Sequence, residues 1–225
     1  MFIHLQKGKF VCLPDDYEIR DASLQDISAA LNPRFTKEDV AKLDRNHDLS
    51  RDLFGKVYLP GYVGLNNLNK TDYVNACMQA LAQVKPLRDF FLKFGTQQQQ
   101  HLKAEDKYSS LALRFGDLMR KMWSNQRFKS SVDPHEMIQA ISAASNKRFH
   151  VGKQAEASAF MSWFLNSLHI GLGGSSKKRS IISKIFQGEI ELTIRQRVNV
   201  KKAINNSSRL GKLRYIGVAL LKFKN

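Results

Sequence analysis

The sequence predicts an α+β chain, helical through its centre and β-like at both ends. Between residues 71 and 168, apolar side chains recur at three- and four-residue intervals, the period of an amphipathic helix. Residues 2–13 and 181–194 instead carry short apolar runs broken by turn formers. Composition permits a core: of 225 residues, 43% are hydrophobic and 25% charged, which is ordinary globular content.

In chain order, Phe2, Ile3 and Leu5, a Lys7-Gly8 turn and Phe10-Val11-Cys12-Leu13 predict a hairpin, which Pro14-Asp15-Asp16 ends. Leu24, Ile27 and Leu31 share one face of a short helix over 21–31. Thr36 with Asp39 three positions on forms a capping-box pattern ahead of Val40 and Leu43. Charged and turn-forming residues from Asp44 to Lys56 predict a linker. Tyr73, Cys77, Ala80, Leu81 and Val84 make one face of a helix over 71–84, with Pro86 helping to end it. Gly95-Thr96 and four glutamines predict a loop.

Leu111, Phe115, Leu118, Met119 and Met122 mark a second long helix. Asp133 as N-cap, Pro134 at the first helical position and Glu136 as capping-box acid start a third, which buries Met137, Ile138, Ile141 and Ala144. A fourth carries Phe160, Trp163, Phe164 and Leu168 and stops near Gly171-Leu172-Gly173-Gly174. Ile181, Ile182, Ile185 and Phe186, then Ile190, Leu192 and Ile194, predict strand.

Several classes of function are excluded or narrowed by composition. Uninterrupted apolar runs reach only four or five residues, as in Val218–Leu221, too short to span a bilayer. The first residues lack the apolar core of a signal peptide. Two cysteines 65 positions apart do not make a disulfide framework, so the expectation is a soluble protein of a reducing, intracellular compartment. The net charge of +16 is uneven: residues 177–225 hold 13 Lys and Arg against 2 acids. Lys177, Lys178, Arg179, Arg195, Arg197, Lys201 and Lys202 are therefore candidates for RNA or another acidic partner, through phosphate neutralisation. A solvated basic face explains the same charge. Phe186, Tyr215 and Phe223 are too sparse for a base-stacking platform.

The most informative segment is Gly64-Leu-Asn-Asn-Leu-Asn-Lys-Thr-Asp-Tyr-Val-Asn-Ala-Cys-Met-Gln79. It resembles the nucleophile box of the ubiquitin-specific proteases, G-L-x-N-x-G-N-T-C-Y-x-N-x-x-x-Q, matching at Gly64, Leu65, Asn67, Thr71, Tyr73, Asn75 and Gln79. The departure is Asp72, which stands where that family has its catalytic cysteine. At a helix N-terminus a thiol is activated because unpaired N–H groups stabilise the thiolate. A carboxylate in the same field is a stable cap and a weak nucleophile, so Asp72 is expected to be a structural N-cap. Cys77 lies about 7.5 Å further along and about 140° around the helix, on the apolar face, and reads as a core thiol. The resemblance gives Asn67 the family's oxyanion role; without a nucleophile it is expected to fix the turn.

Gln154-Ala-Glu-Ala-Ser-Ala-Phe-Met161, with Trp163, Leu165 and His169 after it, is similar to a second helix of that family, Q-Q-D-x-x-E-F-L, with Ala159 in place of an acid. No histidine here precedes a tyrosine, so the family's G-H-Y base motif is not matched, and His135 and His169 are expected to be structural. Phe10–Ile19, Phe35–Asp39, Tyr58–Leu65, Phe115–Lys121, Ser131–Met137, Leu172–Gly174 and Phe186–Gly188 resemble one branch in particular: the protease-like splicing factors of the spliceosomal tri-snRNP, which carry Asp in place of the nucleophile.

The resemblance implies a papain-like fold represented mainly by its helical N-terminal half, preceded by the terminal hairpin of a ubiquitin-hydrolase-type zinc finger. The implied organisation is a finger remnant over 1–20, a helical linker over 21–57, a protease-like region over 58–194 and a basic tail over 195–225. It further implies a nuclear, catalytically inactive scaffold whose partners are tri-snRNP proteins, with weak or no ubiquitin binding and no membrane. No catalytic residue, metal ligand set or cofactor is expected within these residues, because His4 and Cys12 alone cannot hold zinc and the finger's ligands would lie upstream. A working ubiquitin thiol hydrolase and an RNA-binding module are the alternatives.

Overall fold

The computed structural model describes residues 2–4, 9–13, 15, 17–93, 106–195 and 207–216, with backbone alone from residue 189 on. The N-terminal hairpin pairs β1 (Phe2–His4) with β2 (Lys9–Cys12) antiparallel, Ile3 opposite Phe10. A third strand, β3 (Tyr17–Ile19), continues the sheet where the Pro14–Asp16 segment was expected to end it. The Lys7-Gly8 turn and the glutamine-rich loop lie outside the described residues.

A 3-10 turn over Ala22–Leu24 leads into α1 (Gln25–Leu31), and α2 (Lys37–Lys42) follows. The capping box of α2 is closed in both directions: Asp39 N–H donates to Thr36 Oγ1 and Thr36 N–H to the Asp39 carboxylate. Val40 enters the main core. Within the segment read as a linker, β4 (Ser50–Arg51) pairs with β5 (Val57–Tyr58), and Asp44 is ion-paired with Arg88 at 2.8 Å.

The core is a helical layer built from α3 (Asp72–Ala82), α4 (Lys85–Lys93), α5 (Lys107–Trp123), α6 (His135–Ala144) and α7 (Ala157–Gly171). Helix α5 is central, packing on α4, α6 and α7, while α3 packs on α7. Phe91, Phe115, Phe160 and Phe164 are fully buried and meet ring to ring, Phe91 on Phe115 at 4.8 Å and Phe115 on Phe164 at 5.4 Å, both edge-on. The α5–α7 crossing is close because position 171 has no side chain: a Cβ there would stand 2.1 Å from the Tyr108 carbonyl.

Three sequence expectations are corrected. Pro86 does not end α3; it sits in the first turn of α4, a helix the sequence reading missed, where proline's lost N–H costs nothing. Helix α6 starts at His135 with Pro134 as its N-cap, so Asp133 sits one residue too early to cap; its Oδ1 accepts from His135 N–H, and Glu136 turns outward to Arg114 and Lys121, leaving no capping box. Residues Ile181–Phe186 are a helix, α8, rather than strand: Ser180 and Ser183 close a reciprocal cap that outweighs the β-branched content. Strand β6 (Gln187–Arg195) follows and pairs with β7 (Ser207–Ile216). No helix among the described residues is long and apolar enough to cross a membrane.

Candidate functional site

The site is the head of α3 and the turn before it. Asn67 Oδ1 accepts from the Thr71 N–H at 3.1 Å and its hydroxyl at 3.0 Å, and the Thr71 hydroxyl oxygen accepts from Leu68 N–H. That knot closes the turn over Asn69 and Lys70, both left-handed with φ of 70° and 52°. Asn69 is a residue type that tolerates this region. The Asn69 carbonyl then accepts from Gly152 N–H, tying the 150–154 loop to the turn. Asn67 thus fixes the turn.

Tying these loops together brings Gln154 to Asp72: its Nε2 donates to Asp72 Oδ2 at 3.3 Å. Asp72 is exposed and is the first residue inside α3, with Thr71 as the N-cap. The expectation of a capping aspartate is corrected here. The carboxylate is one residue too late to cap, and it bonds across to Gln154 instead.

Cys77 is buried on the opposite side of the helix, 4% exposed, with its thiol 3.6 Å from the Ala157 carbonyl. Burial pushes this thiol's pKa up, away from the thiolate that nucleophilic attack requires. His169 is also buried. The Ser180 hydroxyl oxygen accepts from two backbone N–H groups at the head of α8, so its own proton points to His169 Nδ1, 2.7 Å away. His169 Nε2 faces the Ser175 carbonyl at 3.4 Å, and the ring pins the loop before α8. His135 faces Gln139 on its own helix.

The remaining box residues form an amide ladder. From one face of α3, Asn75 Nδ2 donates to Asn66 O at 3.1 Å, Gln79 Nε2 to Val63 O at 2.6 Å and Gln83 Nε2 to Gly61 O at 2.9 Å. These side chains, four residues apart, hold the incoming segment antiparallel to the helix. Gln83 was missed by the sequence reading, although its spacing from Gln79 is the signal. A groove of about 940 Å³, lined among others by Arg34, Phe35, Lys42 and Trp123, lies between α2 and the end of α5, and no residue of the nucleophile box lines it.

The basic candidates divide. Lys177, Lys178 and Arg179 are exposed on the loop before α8, where Ser175 Oγ accepts from the N–H groups of Lys177 and Lys178. Arg195 ends β6 with only its backbone described, and Arg197, Lys201 and Lys202 lie outside the described residues. No group of three or more His, Cys, Asp or Glu able to hold a metal occurs among the described residues.

The helical layer and the asparagine-fixed turn at the head of α3 agree with the ubiquitin-hydrolase class that the nucleophile-box resemblance implies. The match of the ubiquitin carboxyl-terminal hydrolase family model over residues 63–213 makes this plain: the chain belongs to that family and has its papain-like fold. It is 47% identical over 193 residues to human ubiquitin carboxyl-terminal hydrolase 39, covering 85% of this chain and 34% of that protein. It is 39% identical over 196 residues to the probable mRNA-splicing protein ubp10 of Schizosaccharomyces pombe, covering 85% and 37%. The resemblance to the splicing branch therefore holds, and the chain spans about a third of the length of these curated relatives. Among solved structures it is similar to an essential yeast splicing factor, with a TM-score of 0.69 at 19% identity, over 95% of this chain and 48% of that one. The Ubp8 deubiquitinating module bound to monoubiquitin matches with a TM-score of 0.52 at 14% identity, over 95% and 45%.

Proposed function

We propose that this chain acts in pre-mRNA splicing as a catalytically inactive, ubiquitin-hydrolase-type scaffold, supporting tri-snRNP assembly in the nucleus through protein contacts. The observation that carries the reading is Asp72: an exposed carboxylate at the head of α3, bonded to Gln154, where hydrolase chemistry needs a thiolate. A carboxylate is a weak nucleophile toward an amide, and the nearest thiol along the chain, Cys77, is buried and kept protonated. The names of the relatives, a splicing protein and a splicing factor, support the splicing half of the proposal. On this reading ubiquitin binds weakly or not at all, these residues need no cofactor, and zinc belongs to a complete finger in a longer chain.

The test is a native pull-down of the endogenous protein, probed for co-purifying spliceosomal small nuclear RNAs, with Asp72→Asn alongside. Enrichment of the tri-snRNP RNAs, unchanged by Asp72→Asn, is the expected result. Absence of those RNAs from a stable, expressed protein overturns the scaffold reading, and their loss on Asp72→Asn overturns the passive role of that carboxylate.

Direct RNA contact is the second reading. It is favoured by Lys177, Lys178 and Arg179, three adjacent exposed cations on a loop fixed by Ser175. Binding to a small nuclear RNA that weakens steeply with salt and is reduced by changing these three residues to alanine supports it; a flat salt response refutes it.

A further inference from the structure

The β4–β5 hairpin carries a feature that the scaffold site does not use. Its tip, Asp52–Lys56, displays Leu53 and Phe54 at 73% and 76% exposure, with Leu49 at 66% and Val57 at 42% on its flanks. Apolar side chains this exposed on one short loop contribute almost nothing to the chain's own core.

The tip is nevertheless held firmly, and by a different residue. Asp52 is 8% exposed, and its carboxylate turns inward to accept three backbone N–H groups: Phe54 at 3.0 Å, Lys56 at 2.8 Å and Ser130 at 2.8 Å. Asp52 N–H donates to the Lys56 carbonyl, Gly55 N–H to the Asp52 carbonyl, and Arg51 Nη1 to the Gly55 carbonyl. Gly55 supplies the left-handed turn at φ 79°. Behind the strand, the Arg127 guanidinium lies 4.9 Å from the Tyr58 ring. The tip therefore keeps its shape without help from Leu53 or Phe54.

Charge around it has one dominant sign. The Ser130 bond brings the 128–130 segment alongside, adding exposed Phe128 and Lys129. Arg51, Lys56 and Lys129 are exposed cations on or beside the tip, and no exposed carboxylate lies between residues 49 and 57.

We propose that the β4–β5 tip is a preorganised docking knob that inserts Leu53 and Phe54 into an apolar pocket with an acidic rim on a partner protein. Fixed apolar anchors ringed by polar residues are the usual form of an interface hot spot, because little conformational freedom is lost on binding. The cations around them complement acidic groups at the pocket's edge and steer the encounter. A rigid tip suits a pocket of fixed shape, whereas a bilayer makes no use of its pinned geometry. The proposal stands apart from the splicing reading and assigns the surface, leaving the partner's biological setting to the test.

The experiment places photoreactive benzoylphenylalanine at position 54 of the natural full-length protein in its own cells, cross-links it, and maps the adduct by mass spectrometry. The expected result is an adduct on one protein, within a peptide that combines apolar residues with Asp or Glu. The same adduct formed from a protein carrying Lys56→Glu and Lys129→Glu falls several-fold. Leu53→Ser with Phe54→Ser leaves the melting temperature unchanged and lowers co-purification of that mapped protein by about tenfold or more. Adducts on a second copy, on another part of the same chain, on lipid or scattered over many proteins overturn the proposal, as does full co-purification by the double variant. An adduct on a protein outside splicing particles leaves the knob standing and removes support from the splicing reading; particle RNAs without a position-54 adduct do the reverse.

Discussion

Replacing Gln79 with alanine tests whether the nucleophile-box residues now serve the fold. Gln79 Nε2 donates to the Val63 carbonyl at 2.6 Å, and Val63 is 4% exposed, so water cannot readily take the donor's place. Leaving a buried carbonyl unpaired costs about 1–3 kcal/mol, against a gain of a few tenths from alanine's better helix propensity. Gln83→Ala removes the same kind of bond to Gly61 from an exposed side chain and is expected to cost less, about 0.5–1.5 kcal/mol. Asn75→Ala should be milder still, because it also removes a buried Oδ1 that has no partner, and alanine improves on asparagine by up to about 0.7 kcal/mol in a helix. The assay is urea denaturation of the three single variants, read as a shift in midpoint at constant slope. An order of cost Gln79, Gln83, Asn75 supports the ladder. A Gln79→Ala variant within about 0.3 kcal/mol of wild type, or Asn75→Ala as the costliest, refutes it.

Three further outcomes follow from the same structure. Gly171→Ala drives a Cβ to 2.1 Å from the Tyr108 carbonyl and should destabilise the α5–α7 crossing by about 3 kcal/mol or more; a melting temperature within a few degrees of wild type contradicts this. In a thiol titration of the native protein, Cys12, which is half-buried, should react quickly, and buried Cys77 only after unfolding; rapid reaction of both thiols counts against the buried-cysteine account. Lys85 and Arg88 hold the Asp44 carboxyl below its usual range, and the Thr36 N–H does the same for Asp39. Because the folded pKa values are depressed, that stabilisation is complete above about pH 4–5 and is lost as pH falls through them. The melting temperature should therefore hold from neutral pH to about 5 and drop below it. Asp44→Asn should lie beneath wild type at pH 7 and converge with it in acid, and an equal gap at pH 2.5 contradicts the assignment.

The elements that the sequence revealed are those whose order is local. The Thr36–Asp39 capping box and the apolar faces of α5, α6 and α7 are written in residues three and four apart and appear where their spacing placed them. On α3, Tyr73, Cys77 and Leu81 are buried as expected, but Ala80 is exposed and Val84 lies beyond the helix. Helix α4 escaped because Pro86 reads as a stop wherever it occurs, yet in a first turn it is harmless. Helix α8 escaped because four apolar residues within Ile181–Phe186 resemble strand, and the decisive Ser180–Ser183 cap lies at its edge. A two-residue strand such as β4 has no period to detect. At the site, Asp72 and Asn67 were singled out by the resemblance to the protease box, though the capping role expected of Asp72 falls to Thr71. The bond from Gln154 was not legible, since it depends on a loop 82 residues away being tied to the Asn69 carbonyl.

The most direct test of the central claim is to expose the natural full-length protein to a ubiquitin derivative bearing a thiol-reactive C-terminus and weigh the product intact. The expected result is no ubiquitin adduct that maps to position 72 or to Cys77, because position 72 offers a carboxylate and Cys77 is buried behind it. A ubiquitin adduct that maps to Cys77 and disappears in Cys77→Ala would establish a displaced nucleophile and contradict the scaffold account.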